Sequence, residues 1–452
     1  MAIETSLEKR VDEAPLTALK SFDPDEMVED LEHISDTSSI TLMDLYRRWE
    51  RQNWSAYALD FTQDRKDWDA LSGDVTERML WLFSMFFAGE QAVTDTLAPW
   101  ISSAPTEEMR IFLSTQVADE ARHTVFFDRF FKEVVGVGGD LHGRLESARP
   151  RANAAYDEFF YELLPRISKE VYDHPGDRVV FARGIAFYHL VVEGMLAVPG
   201  QKYILAYCRD HEIMPAFRSG FTAVARDESR HVGAGVRMLQ QLTAEEPACE
   251  EAVRQLIEEV LPLSGEAFRP PNLDFTYLTM LGTTVAELNG FSVKSLQKRI
   301  RGAGFAEIRV KTIRTGPTTG EPILPDRPKT PSQQLLATVR DQVTPALIFQ
   351  GLAMAFNPEA AHGVNQTFQF DLSGENGGTW TVKIADGKCE VIDGPPHTPA
   401  DNRMETDVET WIAMSAGEIS GDEAFLLGRL GTEGIFGGGL VFDTFFGEPA
   451  AA

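Results

Sequence analysis

From residue 39 to about residue 260, apolar side chains recur every three to four positions and turn-forming residues are sparse. This spacing is typical of amphipathic helices that bury one face. It predicts helices at roughly 40–58, 74–101, 107–136, 152–170, 176–208 and 213–243. Pro199 falls inside one of these helices, and we expect it to kink the helix or end it.

After residue 331 the pattern changes from helical to alternating. Residues 332–356 are typical of an amphipathic helix, whereas residues 367–374 and 379–394 alternate apolar and polar positions, as strands do. Asp386-Gly387 divides the second of these stretches and predicts a hairpin turn. The fold class expected from both patterns is mainly α, a helical bundle followed by a small α+β domain.

The domain boundaries follow from these changes in pattern. Residues 314–331 contain five prolines, a composition typical of an interdomain linker. We predict an N-terminal arm, a helical domain, a linker and a C-terminal domain at 1–38, 39–305, 306–333 and 334–450.

Composition then limits the partners and the compartment. The sequence contains 69 acidic and 42 basic residues, a net charge of −27, which repels phosphate backbones, so we expect no nucleic-acid partner. No run of 18 apolar residues appears, and we expect no transmembrane segment. The three cysteines lack disulfide or metal spacing and the N-terminus lacks a secretory signal, which together favour the cytoplasm.

Two pentapeptides that almost repeat each other carry the candidate chemistry. They are Asp-Glu-Ala-Arg-His at 119–123 and Asp-Glu-Ser-Arg-His at 227–231. Glu and His three positions apart project from nearly the same face of a helix, so both can reach one metal site. One such pair alone is more often a surface ion pair.

A lone glutamate on an apolar helix face precedes each pair. Glu90 lies 30 residues before Glu120, and Glu193 lies 35 residues before Glu228. A buried carboxylate needs a cation or a proton, because burying it unpaired costs several kcal/mol. Two lone glutamates and two Glu-x-x-His pairs form the ligand pattern of carboxylate-bridged di-metal bundles, and mixed oxygen and nitrogen ligation suits iron and manganese. The predicted ligands are Glu90, Glu120, His123, Glu193, Glu228 and His231. The alternative is a polar bundle core with satisfied ion pairs.

The aspartates that open the two pentapeptides are candidates for a supporting role. A ligating histidine usually donates its second N–H to a carboxylate or carbonyl oxygen. We expect Asp227 to support His123 and Asp119 to support His231 across the bundle. The alternative is that both aspartates form ordinary salt bridges to Arg122 or Arg230.

At these residues, over roughly 40–300, the sequence resembles the ribonucleotide reductase small-subunit superfamily, which implies a ferritin-like fold. In many of those subunits a tyrosine four residues after the first metal histidine carries a stored radical, and here that residue is Phe127. Those subunits also end in a tail that docks a large subunit, whereas another domain follows here.

The sequence more closely resembles the ligand-binding oxidases of that superfamily. Val93 stands three residues after Glu90, and Tyr188 stands five residues before Glu193, as in that family. The resemblance implies an ether cross-link between this valine and this tyrosine, formed by two-electron oxidation. It also implies a homodimer with O₂ as oxidant, a long-chain fatty acid as ligand, and manganese and iron as cofactor, with Fe/Fe as a further option. Manganese would lie at Glu90, Glu120 and His123, and iron at Glu193, Glu228 and His231.

Helix geometry argues against this cross-link in a regular α-helix. A residue five positions before Glu193 lies about 140° around an ideal α-helix from it. Tyr188 can therefore meet Val93 only across neighbouring helices or through a distorted turn such as a π-bulge.

The last part of the sequence, about 336–448, resembles the sterol carrier protein fold, a lipid-binding α+β module. The residues that carry this resemblance are 368–374, the Trp380 strand with its Asp386-Gly387 turn, and 422–428. The whole protein is thus expected to be an O₂-activating dinuclear metal oxidase acting on a lipid-like or other apolar substrate. Three alternatives remain open: a reductase radical generator, a metal-binding lipid carrier without catalysis, and a di-iron oxygenase for aryl amines or carrier-bound acyl chains.

Overall fold

The structure is a computed structural model, and it describes residues 14–24, 40–267, 270, 276–305, 314–315, 322–323, 329, 331–359, 361, 364–434 and 442–446. The protein divides into two compact units. The first comprises 1–264, 275–284 and 291–310, and the second comprises 265–274, 285–290 and 311–452. Most of the predicted arm and linker lies outside the described residues, so their boundaries stay predictions.

The first part of the protein is helical throughout its described residues. Its α-helices are α1 Leu42–Gln52, α2 Thr62–Ala70, α3 Gly73–Thr96, α4 Ala98–Ser103, α5 Glu107–Phe130, α6 Leu141–Ala148, α7 Ala154–Asp157, α8 Leu164–Asp173, α9 Arg178–Ile185, α10 Val198–Asp210, α11 Pro215–Glu245, α12 Ala248–Ala267, α13 Thr276–Thr279 and α14 Val285–Gly302. Turns of 3₁₀-helix occur at Leu16–Ser21, Ala56–Ala58 and Arg149–Arg151, and π-helix occurs at Phe131–Val135, Glu158–Leu163 and Ala186–Ala197. Every predicted helix is present, but the one predicted at 40–58 ends at Gln52, and the one predicted at 74–101 is divided at Leu97 into α3 and α4.

The bundle core forms where the long helices pack on one another. Helix α3 packs along α5, while α11 packs against α5 and the π-helical segment 186–197. Aromatic rings fill the contacts, and their edge-to-face and stacked pairings are the arrangements that aromatic rings prefer. Phe127 lies 6.2 Å from Phe86 and 5.8 Å from Phe221 between ring centroids. Water is thereby excluded from the middle of the bundle.

One continuous helical stretch runs from Arg178 to Asp210, through α9, the π-helical segment 186–197 and α10. Of the two outcomes expected at Pro199, a kink or an end of the helix, the end is excluded, because the helix continues through it. Pro199 lies in the first turn of α10, directly after the π-helical segment. By length and composition this stretch is apolar enough to cross a membrane, but 78% of its apolar window is buried within the protein.

The second unit contains a five-stranded sheet with helices on it. Its elements are β1 Arg314–Thr315, β2 Pro322–Ile323, α15 Pro331–Thr338, α16 Pro345–Ala355, β3 Gln366–Ser373, β4 Gly378–Ala385, β5 Lys388–Asp393, β6 Asn402–Asp407, α17 Val408–Ser415, α18 Gly421–Leu426 and β7 Leu430–Gly434, with 3₁₀ turns at Arg340–Gln342 and Phe442–Phe445. Among the described residues the sheet order is β5-β4-β3-β6-β7, with β3 and β6 parallel and the other three pairs antiparallel.

Local sequence explains two features of this unit. Asp386 and Gly387 have φ of 51° and 69°, the backbone of a tight hairpin turn, as predicted. The helix expected at 332–356 is instead two helices, because Thr344 accepts a hydrogen bond from Leu347 N and starts α16 anew with Pro345 in its first turn. The fold class, a helical bundle followed by a small α+β domain, is confirmed.

Candidate metal centre

Four helical segments bring the six predicted ligand side chains together inside the bundle. All six are buried, with at most 8% of any of them exposed. Helix α3 supplies the first, α5 the next two, the π-helical segment 186–197 the fourth, and α11 the last two: Glu90, Glu120, His123, Glu193, Glu228 and His231.

The ligand atoms of these side chains form two overlapping groups. Within each group, one oxygen or nitrogen from every residue lies within 4.8 Å of the others. Glu120 and Glu228 belong to both groups, so their carboxylates stand in the position of bridges between two ions. The groups are Glu90, Glu120, His123 and Glu228, and Glu120, Glu193, Glu228 and His231.

Both imidazoles present the same nitrogen to the carboxylates. His123 Nδ1 lies 3.3 Å from Glu90 Oε2 and 3.3 Å from Glu228 Oε1. In the second group, His231 Nδ1 lies 3.1 Å from Glu193 Oε1 and 3.3 Å from Glu120 Oε1. The two halves of the site are therefore built alike, as the two near-repeated pentapeptides suggest.

The remaining nitrogen of each imidazole meets an aspartate. His123 Nε2 lies 3.2 Å from Asp227 Oδ2, and His231 Nε2 lies 3.1 Å from Asp119 Oδ2. These are the contacts expected from the sequence. Donation of each Nε2–H to an aspartate leaves Nδ1 free to bind a metal ion.

The salt bridges weighed as the alternative role of these aspartates are also present. Arg230 Nη2 donates to Asp119 Oδ2 at 3.0 Å and to Asp227 Oδ1 at 2.6 Å. Arg122 Nη1 lies 3.1 Å from Asp119 Oδ1 and 3.4 Å from Asp227 Oδ2. One aspartate can serve both partners, because a carboxylate has about four acceptor sites.

Burial and mutual contact shift the pKa of these groups strongly. Burial raises the pKa of Glu90 to about 8 and holds the pKa of Glu193 well above its usual range. For Glu120 burial acts upwards too, but hydrogen bonds from His123 and His231 outweigh it and hold its pKa well below the usual range. Without a metal ion the site therefore retains protons, and an incoming cation displaces them.

Sequence reasoning missed two tryptophans that extend the aspartate contacts. Trp49 Nε1 donates to Asp119 Oδ1 at 2.9 Å, and Trp54 Nε1 donates to Asp227 Oδ2 at 2.7 Å. Both tryptophans come before α5 and α11, the helices that carry the pentapeptides. Neither indole therefore lies at an i+3 or i+4 spacing from a pentapeptide. The sequence held no signal for this contact.

A third hydrogen-bonded series of side chains supports Glu193. Gln116 Nε2 donates to Glu193 Oε1 at 3.0 Å, and His189 Nε2 lies 3.0 Å from Gln116 Oε1. Burial lowers the pKa of His189 to about 3, so the ring is neutral and carries a single N–H for the two oxygens it faces, Gln116 Oε1 and Ile185 O. Gln116 stands four residues before Glu120, on the same helix face, and that spacing could have identified it.

Of the two candidate cross-link residues, Tyr188 contacts the site directly, and Val93 is buried on the helix that carries Glu90. Val93 and Tyr188 are both buried, on α3 and on the π-helical segment 186–197. Tyr188 Oη donates to Glu120 Oε1 at 2.6 Å. In a π-helix residues five apart are hydrogen-bonded, so Tyr188 stacks along the helix near Glu193 instead of lying far around it.

Comparison with known proteins agrees with this geometry. Residues 38–267 match the model of the ribonucleotide reductase small chain, and residues 350–446 match that of the SCP-2 sterol transfer family. Two similar solved structures are variants of an R2-like ligand-binding oxidase with an anaerobically reconstituted Mn/Fe cofactor. They share 25% and 26% identity with this protein, with TM-scores of 0.50 and 0.51, and cover 58% of it and 94% and 93% of their own length. A third variant, described with a non-activated Mn/Mn cofactor, has 26% identity and a TM-score of 0.51, with 58% and 93% coverage.

A helical bundle that gathers four carboxylates and two imidazoles in this way defines the class of dinuclear carboxylate proteins. Within that class, the protein belongs to the ribonucleotide reductase small-chain family. Its resemblance to the ligand-binding oxidases and to sterol carrier proteins, recognised from sequence, is confirmed.

Proposed function

We propose that this protein is an oxidase that holds two metal ions, Mn/Fe or Fe/Fe, at its six buried ligand residues and oxidises a bound apolar molecule with O₂. One observation carries the proposal: four carboxylates and two imidazoles meet in two overlapping groups whose ligand atoms lie within 4.8 Å. Such mixed ligation suits iron and manganese. The R2-like ligand-binding oxidases, which carry Mn/Fe, support the choice of metals.

The unsatisfied atoms of the site fit this assignment. Glu193 Oε2 and Glu228 Oε2 are buried and accept no hydrogen bond from any residue that the structure describes. A buried carboxylate oxygen without a partner costs several kcal/mol, and a bound metal ion would remove this cost. Each oxygen belongs to one of the six proposed ligand residues.

The protein's own groups prepare the site for oxidative chemistry. When bound, the metal pair would supply the reduction of O₂ and the two-electron oxidation of a nearby bond. Asp227 and Asp119 hold His123 and His231 by their Nε2–H, so each Nδ1 faces the carboxylates. Five aromatic rings of the bundle are buried and keep water out of its interior: Phe83, Phe86, Phe87, Phe126 and Phe127.

The same site is proposed to join Val93 to Tyr188 through an ether bond. The Tyr188 O–H bond and one C–H bond in the side group of Val93 break, a C–O bond forms, and the two electrons go to O₂. Glu120 Oε1 already accepts the hydrogen bond of the Tyr188 hydroxyl at 2.6 Å, so a proton acceptor stands in place. The burial of both residues prevents water from competing for the oxidant.

Peptide mass spectrometry tests this proposal. Protein reconstituted without oxygen with iron and manganese, then exposed to air, is expected to yield a branched peptide containing Val93 and Tyr188, two hydrogens lighter than its parts. The Tyr188→Phe variant is the matched control, because it lacks only the hydroxyl and should bind both metals without forming the branch.

The other outcomes separate the rival functions. If both metals bind and no branched peptide forms, the oxidase of the ligand-binding type is contradicted. A stable radical signal and a complex with a large catalytic subunit would then favour a reductase small subunit, as the family match allows. Metal binding with no oxidative change after air exposure would favour a metal-binding lipid carrier.

The C-terminal unit is proposed to supply the apolar substrate, a long-chain fatty acid or a similar lipid. Its match to the SCP-2 sterol transfer family supports this role. Deleting residues 332–452 is expected to slow oxidation of such a lipid only when the lipid is limiting, because the linker raises its local concentration. Unchanged oxidation at limiting lipid would contradict this role. The homodimer and the cytoplasmic location stay predictions.

A further inference from the structure

The last turn of the π-helical segment 186–197 leaves one buried carbonyl group without a donor in its own helix. In a π-helix each carbonyl oxygen accepts from the N–H five positions later. For Gly194 that position is Pro199, which has no N–H. The N–H one position earlier is already engaged, because Val198 N–H donates to Glu193 O. Gly194 O therefore needs a donor from outside the helix, since a buried carbonyl left unmet costs about 1–3 kcal/mol.

Ser295, on α14, supplies this donor. Its Oγ donates to Gly194 O at 2.8 Å, and the serine is only 2% exposed. Arg299, one turn later on the same helix, donates its Nη1–H to Ser295 Oγ and, at 2.8 Å, to Ser295 O. Because Ser295 Oγ accepts from the guanidinium, the hydroxyl hydrogen is directed to Gly194 O. The serine thus takes the place of the N–H that the proline lacks.

Glycine at 194 allows α14 to approach this closely. A Cβ atom added to Gly194 would lie 2.7 Å from Arg299 Cδ and 2.9 Å from Arg299 Nε. A larger side group at this position would push the two helices apart and lengthen the bond from Ser295. Three residues therefore act together: Gly194 admits α14, Pro199 removes a donor, and Ser295 replaces it.

Two hydrogen-bond patterns compete at this turn. If Val198 N–H moved from Glu193 O to Gly194 O, the π-turn would become an α-turn. Loss of a π-turn rotates the residues before it by about 100° around the helix axis relative to those after it, the angle of one residue. The Glu193 carboxylate would then leave the ligand group that it forms with Glu120, Glu228 and His231. The bond from Ser295 satisfies Gly194 O within the π-turn, so the α-turn offers no gain.

We propose that Ser295 is a positioning residue of the metal centre, which replaces the N–H missing at Pro199 and thereby holds the π-turn that directs Glu193 to the metal ions. This inference rests on the proposed function, because it assumes that Glu193 is a metal ligand. It goes further by assigning a role to α14, a helix that supplies none of the six proposed ligands.

Metal binding by the full-length protein tests this role. Ser295→Ala removes the donor, and we expect about 10–100-fold weaker binding in an anaerobic titration with Fe(II), the usual loss when a ligand is no longer oriented. Ser219→Ala is the matched control. Ser219 is also buried and its Oγ also donates to a backbone oxygen, Pro215 O at 3.0 Å, but that oxygen belongs to its own helix, α11. Ser219→Ala should bind Fe(II) as the unsubstituted protein does.

A change at Pro199 separates this role from a general loss of stability. Pro199→Ala restores an N–H five positions after Gly194, so Gly194 O has a donor with or without the serine. Pro199→Ala and the double variant Pro199→Ala, Ser295→Ala should therefore bind Fe(II) alike. If removal of Ser295 weakens binding equally with proline and with alanine at 199, the inference is overturned.

Hydrogen–deuterium exchange of the metal-free protein gives a readout that does not depend on metal. Ser295→Ala should speed exchange in peptides that cover 186–198, and the added Pro199→Ala should restore slow exchange. Unchanged exchange in Ser295→Ala would overturn the inference. Absence of Fe(II) binding in the unsubstituted protein would instead contradict the proposed function, while the exchange result would still decide whether Ser295 holds the π-turn.

Discussion

At Gly235, on α11, a single hydrogen atom is the largest side group that the packing admits. A Cβ atom added there would lie 2.3 Å from His189 Cβ, a distance that no two unbonded carbon atoms adopt. His189 cannot move aside freely, since it is fully buried and hydrogen-bonded to Gln116. Glycine at 235 therefore allows the two helices to approach and the support of Glu193 to form.

The first prediction follows from this contact. Gly235→Ala should lower the free energy of unfolding by about 1–3 kcal/mol, the usual cost of overpacking a core, despite the better helix propensity of alanine. Chemical denaturation of the metal-free protein measures it. Gly290→Ala is the control, because nothing lies within 4 Å of its added Cβ atom. Gly290→Ala should leave the free energy of unfolding unchanged or raise it slightly. An equal decrease of the free energy of unfolding in both variants would contradict the steric argument.

Gln116 supports a second prediction at this scale. Its amide donates to Glu193 Oε1, so Gln116→Met should leave that carboxylate free to rotate and weaken metal binding by about 10–100-fold. Anaerobic titration with Fe(II) measures the affinity. Gln255→Met, an exposed glutamine on α12, should bind as the unsubstituted protein does. Unchanged affinity in Gln116→Met would show that the amide does not position the carboxylate.

The sequence predicted the site residues that belong to a repeated motif and missed those that belong to none. Glu-x-x-His occurs twice, at 120–123 and 228–231, and the repeat can be recognised in the sequence. A lone glutamate on an apolar helix face can also be recognised, because burying an unpaired carboxylate is too unfavourable to occur without a function. The structure brings those side chains together as expected. Trp49 and Trp54 reach the aspartates only through tertiary packing, which leaves no local spacing to read.

At the scale of elements, the π-helical segment 186–197 decides where Tyr188 points. Hydrophobic spacing predicted a helix here, but in a stretch that is apolar on nearly every side the spacing cannot separate a wide turn from an α-turn. The presence of the helices and their order were therefore predictable. The π-helical turn that brings Tyr188 to Glu120 was not predicted from the spacing. It was named only as one arrangement that would allow the cross-link to Val93.

The start of α11 supports a prediction of pH dependence. Asp64, on α2, is fully buried and accepts hydrogen bonds from Ala216 N at 3.0 Å and Phe217 N at 2.6 Å, the free amides of the first turn. Burial outweighs these bonds and raises the pKa of Asp64 to about 6. Because the folded pKa exceeds the unfolded value of 3.8, the charged carboxylate is the form that folding disfavours.

The stabilising contribution of protonated Asp64 is therefore complete below about pH 4 and is lost as the pH rises through 6. Two pKa units correspond to about 3 kcal/mol. The amide of Asp64→Asn does not ionise, so the variant should not lose this stability as the pH rises. The difference between its free energy of unfolding and that of the unsubstituted protein should therefore shift by about 3 kcal/mol in favour of the variant between pH 4 and pH 7. Urea denaturation of metal-free samples measures this difference. A constant difference across that range would mean that Asp64 is charged throughout.

At the scale of the whole molecule, the two units depend on different sources of stability. The second unit has a hydrophobic core of its own, in which Phe349 stacks between Trp380 and Trp411 with ring centroids 4.9 and 5.0 Å away. The helical unit instead encloses carboxylates whose pKa is raised by burial, so part of its core is unfavourable until a cation binds. Metal ions should consequently stabilise one unit and not the other.

Calorimetry tests this difference as the last prediction. Metal bound at about a thousand times its dissociation constant stabilises the folded state by about 4 kcal/mol, and a domain of this size gains roughly 2–4 °C for each kcal/mol. We therefore expect two unfolding transitions, of which the one belonging to the helical unit rises by about 10 °C with Mn(II) and Fe(II). The Glu120→Ala variant should lose this shift and keep the other transition, because Glu120 belongs to both ligand groups. A shift of both transitions together would mean that the metal centre also stabilises the C-terminal unit, and no shift would contradict a metal centre at these residues.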